Sequence, residues 1–299
     1  MVVELHHFTR HALVIDEGES ASGSPGGVLR GSAGAFWSAS RCAVSKTGGS
    51  RSRGSGVYLA TASEVFRASL DGIETPDGSS KRFVEGKEGV LLPFESPRQV
   101  SVAPVRAFAH RFEVQGLSTR PRGGDADAEI VASVDSSGSL CVCEFWDKSV
   151  GAEDASASSL VPERSYQAAP PSAYAMELGW AGVALGTHQP TKAVVARHFP
   201  KDLSLFDGDL LVRQMKTIQS PTAIESFSED VYVVAQKNKI GIYDLRGGER
   251  QGLVQCLPVN NMVTCMATGS FEGEPVVSAR SSLGTQSLPP PPSSSIFWL

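Results

Sequence analysis

The chain has 299 residues and a formal net charge of −5, so it lacks the basic excess that marks most phosphate-backbone binders. Hydrophobic residues make up 41%, too many for a wholly disordered chain, and no uninterrupted apolar run approaches the ~18 residues of a membrane-crossing helix. Five cysteines in no framework spacing, and an N-terminus without an apolar leader, point to a reducing compartment, the cytoplasm or the nucleus.

Taken in chain order, residues 1–34 predict one strand, near His11 to Ile15, followed by a small, polar loop. Ala35 to Val44 predicts a first strand, and Ser45 to Gly56 a flexible basic loop. Gly56 to Asp71 (GVYLATASEVFRASLD) then shows two strands around a tight turn. The same unit returns at Glu129 to Asp147, at Lys192 to Asp207 and, most plainly, at Asp230 to Arg246 (DVYVVAQKNKIGIYDLR). Thr222 to Phe227 and Gly252 to Leu257 flank the last copy as further strands. Three stretches between copies, Gly72 to Lys87, Gly116 to Ala128 and Lys148 to Pro171, are rich in Gly, Ser, Asp, Ala or Pro and predict loops. Met262 to Ala267 and Pro275 to Ala279 begin a fifth copy. Residues 281–299, with Pro289 to Pro292 inside a Ser-rich run, predict a disordered tail, because Pro lacks the donor a sheet position needs. The closing Ile296 to Leu299 is an apolar stub.

A repeated unit fixes the architecture before any single residue is interpreted. Each copy is read as strands a, b, c and d of one antiparallel sheet, with the b–c hairpin its recognisable part. In the second copy Leu140, Val142 and Trp146 alternate with Cys141, Cys143 and Phe145. Both faces of that strand are apolar, which predicts a sheet stacked between two others. Each hairpin ends in an aromatic or Leu followed by Asp: Leu70-Asp71, Trp146-Asp147, Phe206-Asp207 and Tyr243-Asp244. The Asp spacings of 76, 60 and 37 residues include one that fits a plain blade of about 40, so the longer two carry insertions.

The segments SGSLCVCEFWD, DLSLFDGD and KIGIYDLRGG resemble the turn, third strand and Asp ending of the WD-repeat, or transducin-like, β-propeller family. The resemblance covers residues 35–280 and implies an all-β propeller of four-stranded antiparallel blades around a central channel. Four full blades and half of a fifth are legible, so the ring is not required to close. In that family the first strand often completes the last blade, which would place Leu13 to Ile15 there. No Gly-His dipeptide occurs, and with it goes the sequence signal for the family's buried His–Asp network.

Little else carries chemistry. His6, His7 and His11 lack the fourth ligand a structural zinc needs. Cys141 and Cys143 share one strand face and read as core. Lys46, Arg51 and Arg53 sit in the basic loop without interleaved aromatics. The Asp residues at the hairpin ends, Asp71, Asp147, Asp207 and Asp244, suit turn capping better than catalysis because they recur with the fold. With Trp146, Phe206 and Tyr243 they form the set of repeat positions. No phosphate loop, nucleophile elbow or metalloprotease helix is present. The expectation is a non-catalytic scaffold for other proteins, without cofactor, metal or membrane. The alternatives are a nucleic-acid or chromatin adaptor using Arg51 and Arg53, and an enzyme with acids converging at the channel.

Overall fold

The computed structural model describes residues 11–15, 42–44, 56–69, 83–85, 91–93, 98–122, 128–146, 161–167, 180–187, 189, 191–228, 230–246, 252–259, 261–271 and 274–281. Every regular element among them is a strand. The first sheet holds β1 (His11–Ile15), β2 (Cys42–Val44), β3 (Gly56–Thr61) and β4 (Glu64–Ser69). A small pair, β5 (Phe83–Glu85) and β6 (Leu91–Pro93), intervenes before its outer strand β7 (Arg98–Pro104). The second sheet runs β8 (Val114–Pro121), β9 (Ala128–Asp135), β10 (Leu140–Trp146) and β11 (Val161–Gln167). The third runs β12 (Ala181–Leu185), β13 (Lys192–Arg197), β14 (Asp202–Asp207) and β15 (Leu210–Lys216). The fourth runs β16 (Pro221–Ser228), β17 (Val231–Gln236), β18 (Lys239–Asp244) and β19 (Leu253–Pro258). β20 (Val263–Phe271) and β21 (Glu274–Ser281) form a two-stranded fifth sheet.

Alternation explains why these strands are apolar on both faces. On β10, Leu140 and Val142 pack with Val183, Leu185 and Val195 of the third sheet. Cys141, Cys143 and Phe145 turn the other way, onto Tyr58 and Val65 of the first. β17 does the same, sending Tyr232 and Val234 toward the third sheet and Val233 and Ala235 toward the fifth. Each fully buried Val or Leu contributes about 1.5–3 kcal/mol, and here every inner sheet collects this on both sides.

The sheets turn about a common axis. Their innermost strands touch in succession, β2 and β3 on β8, β8 on β12, β12 on β16 and β16 on β20. All five sheets line one cavity of about 200 Å³, through Cys42, Leu117, Gly182, Thr222 and Cys265 among others. Hydrogen bonds tie neighbours together near this axis. Thr119 Oγ1 donates to the Val44 carbonyl at 2.9 Å and Thr222 Oγ1 to the Val263 carbonyl at 2.7 Å. Arg120 reaches Ser226, past the third sheet to the fourth.

Space at the axis is tight. A Cβ on Gly182 would stand 2.3 Å from Trp180 Cη2 and 3.1 Å from Ile224 Cγ2. Gly182→Ala is therefore expected to cost about 1–3 kcal/mol, seen as a lower thermal midpoint, because the indole must leave its seat.

Several expectations need correction. Gly116 to Pro121, expected as loop, belongs to β8. Gly, Ser and Thr are needed there, since Gly116 lies against the backbone of Gly182 and Val183 and the hydroxyls bond across sheets. Val161 to Gln167, also expected as loop, is β11, and its Pro162 sits on an outer strand beside a bulge at Glu144/Phe145. Phe83 to Glu85 lies within the first expected loop and pairs with β6. Leu13 to Ile15 does not join the last sheet, because β1 runs parallel to β7 on the rim of the first.

Candidate protein-docking face

The site is built from the b–c turns and the connections that lead from strand d into the next strand a. Each turn bonds to a connection. Val114 N–H donates to the Ala62 carbonyl at 2.7 Å and Ser136 N–H to the Glu113 carbonyl at 2.9 Å. Thr217 N–H donates to the Lys201 carbonyl at 2.8 Å, and Val263 N–H to the Lys237 carbonyl at 2.9 Å. Ala62, Lys201 and Lys237 hold positive φ of 51°, 52° and 53°, the left-handed turn conformation that L-residues other than Gly adopt at a cost. The four turns therefore form one end of the array, held by backbone bonds.

That end is basic and partly apolar. Arg106, Arg111, Lys201 and Lys237 are exposed on it, against one exposed acid among the described residues, Glu64. Phe199 and Ile218 stand 66% and 50% exposed, beside Lys201 and Lys216. The opposite end carries Asp207 and Asp209, both exposed. There Asp230 is engaged by Lys192 at 3.2 Å and Asp244 by Arg246 at 2.7 Å. A chain of net negative charge thus presents a positive end.

Beneath the surface, two buried acids hold the turns. Asp135 Oδ1 accepts from Ser137 N–H, Ser137 Oγ–H and Ser139 N–H at 2.9, 2.6 and 3.0 Å. His110, on the preceding connection, hydrogen-bonds Ser133 Oγ through Nε2 at 2.7 Å, and its Nδ1 stands 3.5 Å from Asp135 Oδ2, an ion-pair distance. Burial opposes the imidazolium, but the neighbouring Asp135 and Cys141 outweigh it and raise its pKa to about 9. Burial likewise opposes the Asp135 carboxylate, and His110 with the serines prevails, holding it below the ordinary range. In the third sheet Asp202 plays a related part, taking both Arg197 Nε and Nη2 at 2.8 and 2.7 Å and Gln214 Nε2 at 3.0 Å. His110 was not legible in the sequence, because nothing local to Ala109-His110 announces a partner in the following hairpin.

The repeat positions are distributed as follows. Phe206 is buried between the second and third sheets. Tyr243 is buried between the third and fourth, and its hydroxyl accepts from Gln236 Nε2 at 2.8 Å. Asp244 accepts from Arg246 N–H at 2.9 Å, and Asp207 from Thr191 Oγ1 at 3.4 Å. Trp146 ends β10. Bulges fall at Glu144/Phe145, Leu205/Phe206 and Ile242/Tyr243, so Phe145 rather than Trp146 is the counterpart of Phe206 and Tyr243. Cys141 and Cys143 are buried, with Sγ 4.0 and 3.7 Å from the Ala109 and Ala107 carbonyls. Asp71, Asp147, His6, His7, Lys46, Arg51, Arg53 and residues 282–299 lie outside the described residues. Among the described residues no group of His, Cys, Asp and Glu is placed to hold a metal, and no helix is long and apolar enough to cross a membrane.

No protein-family model and no curated protein matches the chain. Solved structures similar to it include Raptor of Chaetomium thermophilum, at 9% identity and TM-score 0.46 over 92% of this chain and 19% of Raptor. BBS1N, solved in complex with ARL6DN, is similar at 11% identity and TM-score 0.42 over 77% of this chain and 72% of that one. Sqt1 of Saccharomyces cerevisiae is similar at 8% identity and TM-score 0.43 over 75% of this chain and 53% of Sqt1. The chain therefore spans about a fifth of Raptor and half of Sqt1.

Proposed function

We infer that the chain is a WD-repeat-like scaffold, not an enzyme, which docks other proteins on its b–c end within the cytoplasm or nucleus. The observation that carries this is the end itself: turns held by backbone bonds expose Arg106, Arg111, Lys201 and Lys237 on the same end as the exposed Phe199 and Ile218. Positive charge steers and selects an acidic partner, while an apolar anchor supplies contact area. The partner class is thus a protein segment rich in Asp and Glu with an apolar residue for the Phe199–Ile218 patch. Five free thiols, two of them in the core, support a reducing compartment.

The test is quantitative mass spectrometry of proteins retained from native extract by the wild-type chain and by Lys201→Glu/Lys237→Glu. Proteins with acidic segments should be held by the first and depleted about tenfold or more by the second. Equal retention contradicts the reading. Retention that instead vanishes with nuclease treatment favours nucleic acid.

A further inference from the structure

Hydrogen-bond donors gather at the other mouth of the axis, opposite the docking end. Arg120 stands near the end of β8, Thr187 follows β12, and Ser226 lies near the end of β16. Three innermost strands thus deliver polar side chains to one place. Arg120 Nη2 donates to Ser226 Oγ, and Thr187 Oγ1 stands 3.5 Å from the same oxygen. The Arg120 guanidinium carries five N–H donors in one plane, and the serine takes one of them. Arg120 is half-buried, and among the described residues no carboxylate forms an ion pair with it.

β17 adds a further donor. Tyr232 is the cross-strand partner of Ser226, so the two side chains share one face of the sheet. Tyr232 is 0% exposed, and its hydroxyl has no hydrogen-bond partner. An enclosed hydroxyl without a partner is unfavourable and calls for an acceptor. Burial and Asp230 raise the pKa of this hydroxyl while Arg120 lowers it, so it keeps its proton within electrostatic reach of the guanidinium. Asp230 is itself offset by Lys192 at 3.2 Å. Asp207 and Asp209 share this end of the molecule, but they flank the β14–β15 turn on the outer side of the third sheet.

The cluster lacks one anionic acceptor that several donors can share. Phosphate supplies it, because its oxygens point in several directions and donors here arrive from three sheets. We propose that Arg120, Tyr232 and Thr187 form a binding site for a phosphate group at this mouth of the axis. The guanidinium is its charge partner, and the two hydroxyls donate to its remaining oxygens.

Isothermal titration calorimetry of the full chain with inorganic phosphate, at constant ionic strength, tests the site. The wild type should take up phosphate saturably, one per chain. Arg120→Gln should weaken uptake by about tenfold or more. Tyr232→Phe should weaken it by about threefold or more, yet leave the urea midpoint without phosphate unchanged or higher, since it removes only an unpaired hydroxyl. A tyrosine with a packing role alone would leave phosphate uptake untouched. Phenyl phosphate, titrated in parallel, separates the sources. Affinity no better than that of phosphate assigns the site to the free ion, and tighter binding assigns it to a phosphate group on an organic carrier. Absence of saturable uptake of either compound overturns the proposal. So does uptake that is the same in the wild type, Arg120→Gln and Tyr232→Phe.

Discussion

Phe145→Ala is expected to destabilise the chain by about 3–5 kcal/mol. The ring is 2% exposed and fills the space between the first and second sheets. It lies 6.0 Å from the Tyr58 ring and 6.2 Å from the Phe108 ring, centroid to centroid. Its loss removes apolar burial and leaves a cavity between two sheets that cannot close up, because β9 and β10 are held by packing on their other face. Phe199→Ala, on the exposed turn, should change stability by no more than about 0.5 kcal/mol. Urea unfolding of both variants separates them. Equal effects would mean that β10 is not clamped between two sheets.

The second large effect concerns His110 and Asp135. Asp135→Ala is expected to cost about 3–5 kcal/mol, since it removes the counter-charge that keeps His110 protonated, so that burial drives the imidazole neutral, and it leaves the Ser137 and Ser139 N–H groups without their acceptor. The pair also imposes a pH dependence. The folded pKa of His110, about 9, lies above its ordinary 6.5. Its contribution is complete below pH 6.5 and disappears as pH rises through 9. That of Asp135, whose folded pKa is lowered, is present above its ordinary 3.8 and disappears on acidification. The wild type should thus lose on the order of 3 kcal/mol between pH 6 and pH 9.5, and His110→Gln should lose much less over the same interval. Urea midpoints at the two pH values measure this. A wild type as flat as His110→Gln would show that the histidine is neutral in the fold.

The b–c hairpins were readable because strands buried on both faces become continuous apolar runs, as in VYVVAQ and LCVCEFW. Edge strands were legible in the fourth sheet, at Thr222 to Phe227 and Gly252 to Leu257, and at Ala35 to Val44 in the first, but not at β8 or β11. β8 lies where backbones converge, and its Gly116, Ser118 and Thr119 serve close approach and cross-sheet bonds rather than apolar burial. β11 lies on the rim, where VPERSYQ can tolerate a Pro. The docking end was hidden for a different reason. Arg106, Arg111, Lys201 and Lys237 are scattered along the chain and meet only because each b–c turn is bonded to a connection. A net charge of −5 concealed them further. Trp146 drew attention as the one Trp-Asp, yet a strand one residue longer shifts its place in the repeat, a difference that only hydrogen-bond register reveals.

The central claim is that these sheets wrap around one axis, and two native cysteines report on it. Cys42 and Cys265 belong to the first and fifth sheets and line the same cavity. Treating the folded chain with a short bismaleimide and mapping the linked peptides by mass spectrometry tests the arrangement without any mutation. A Cys42–Cys265 link that is lost in urea is the predicted result; a folded chain in which both thiols react singly and never join would contradict the shared axis.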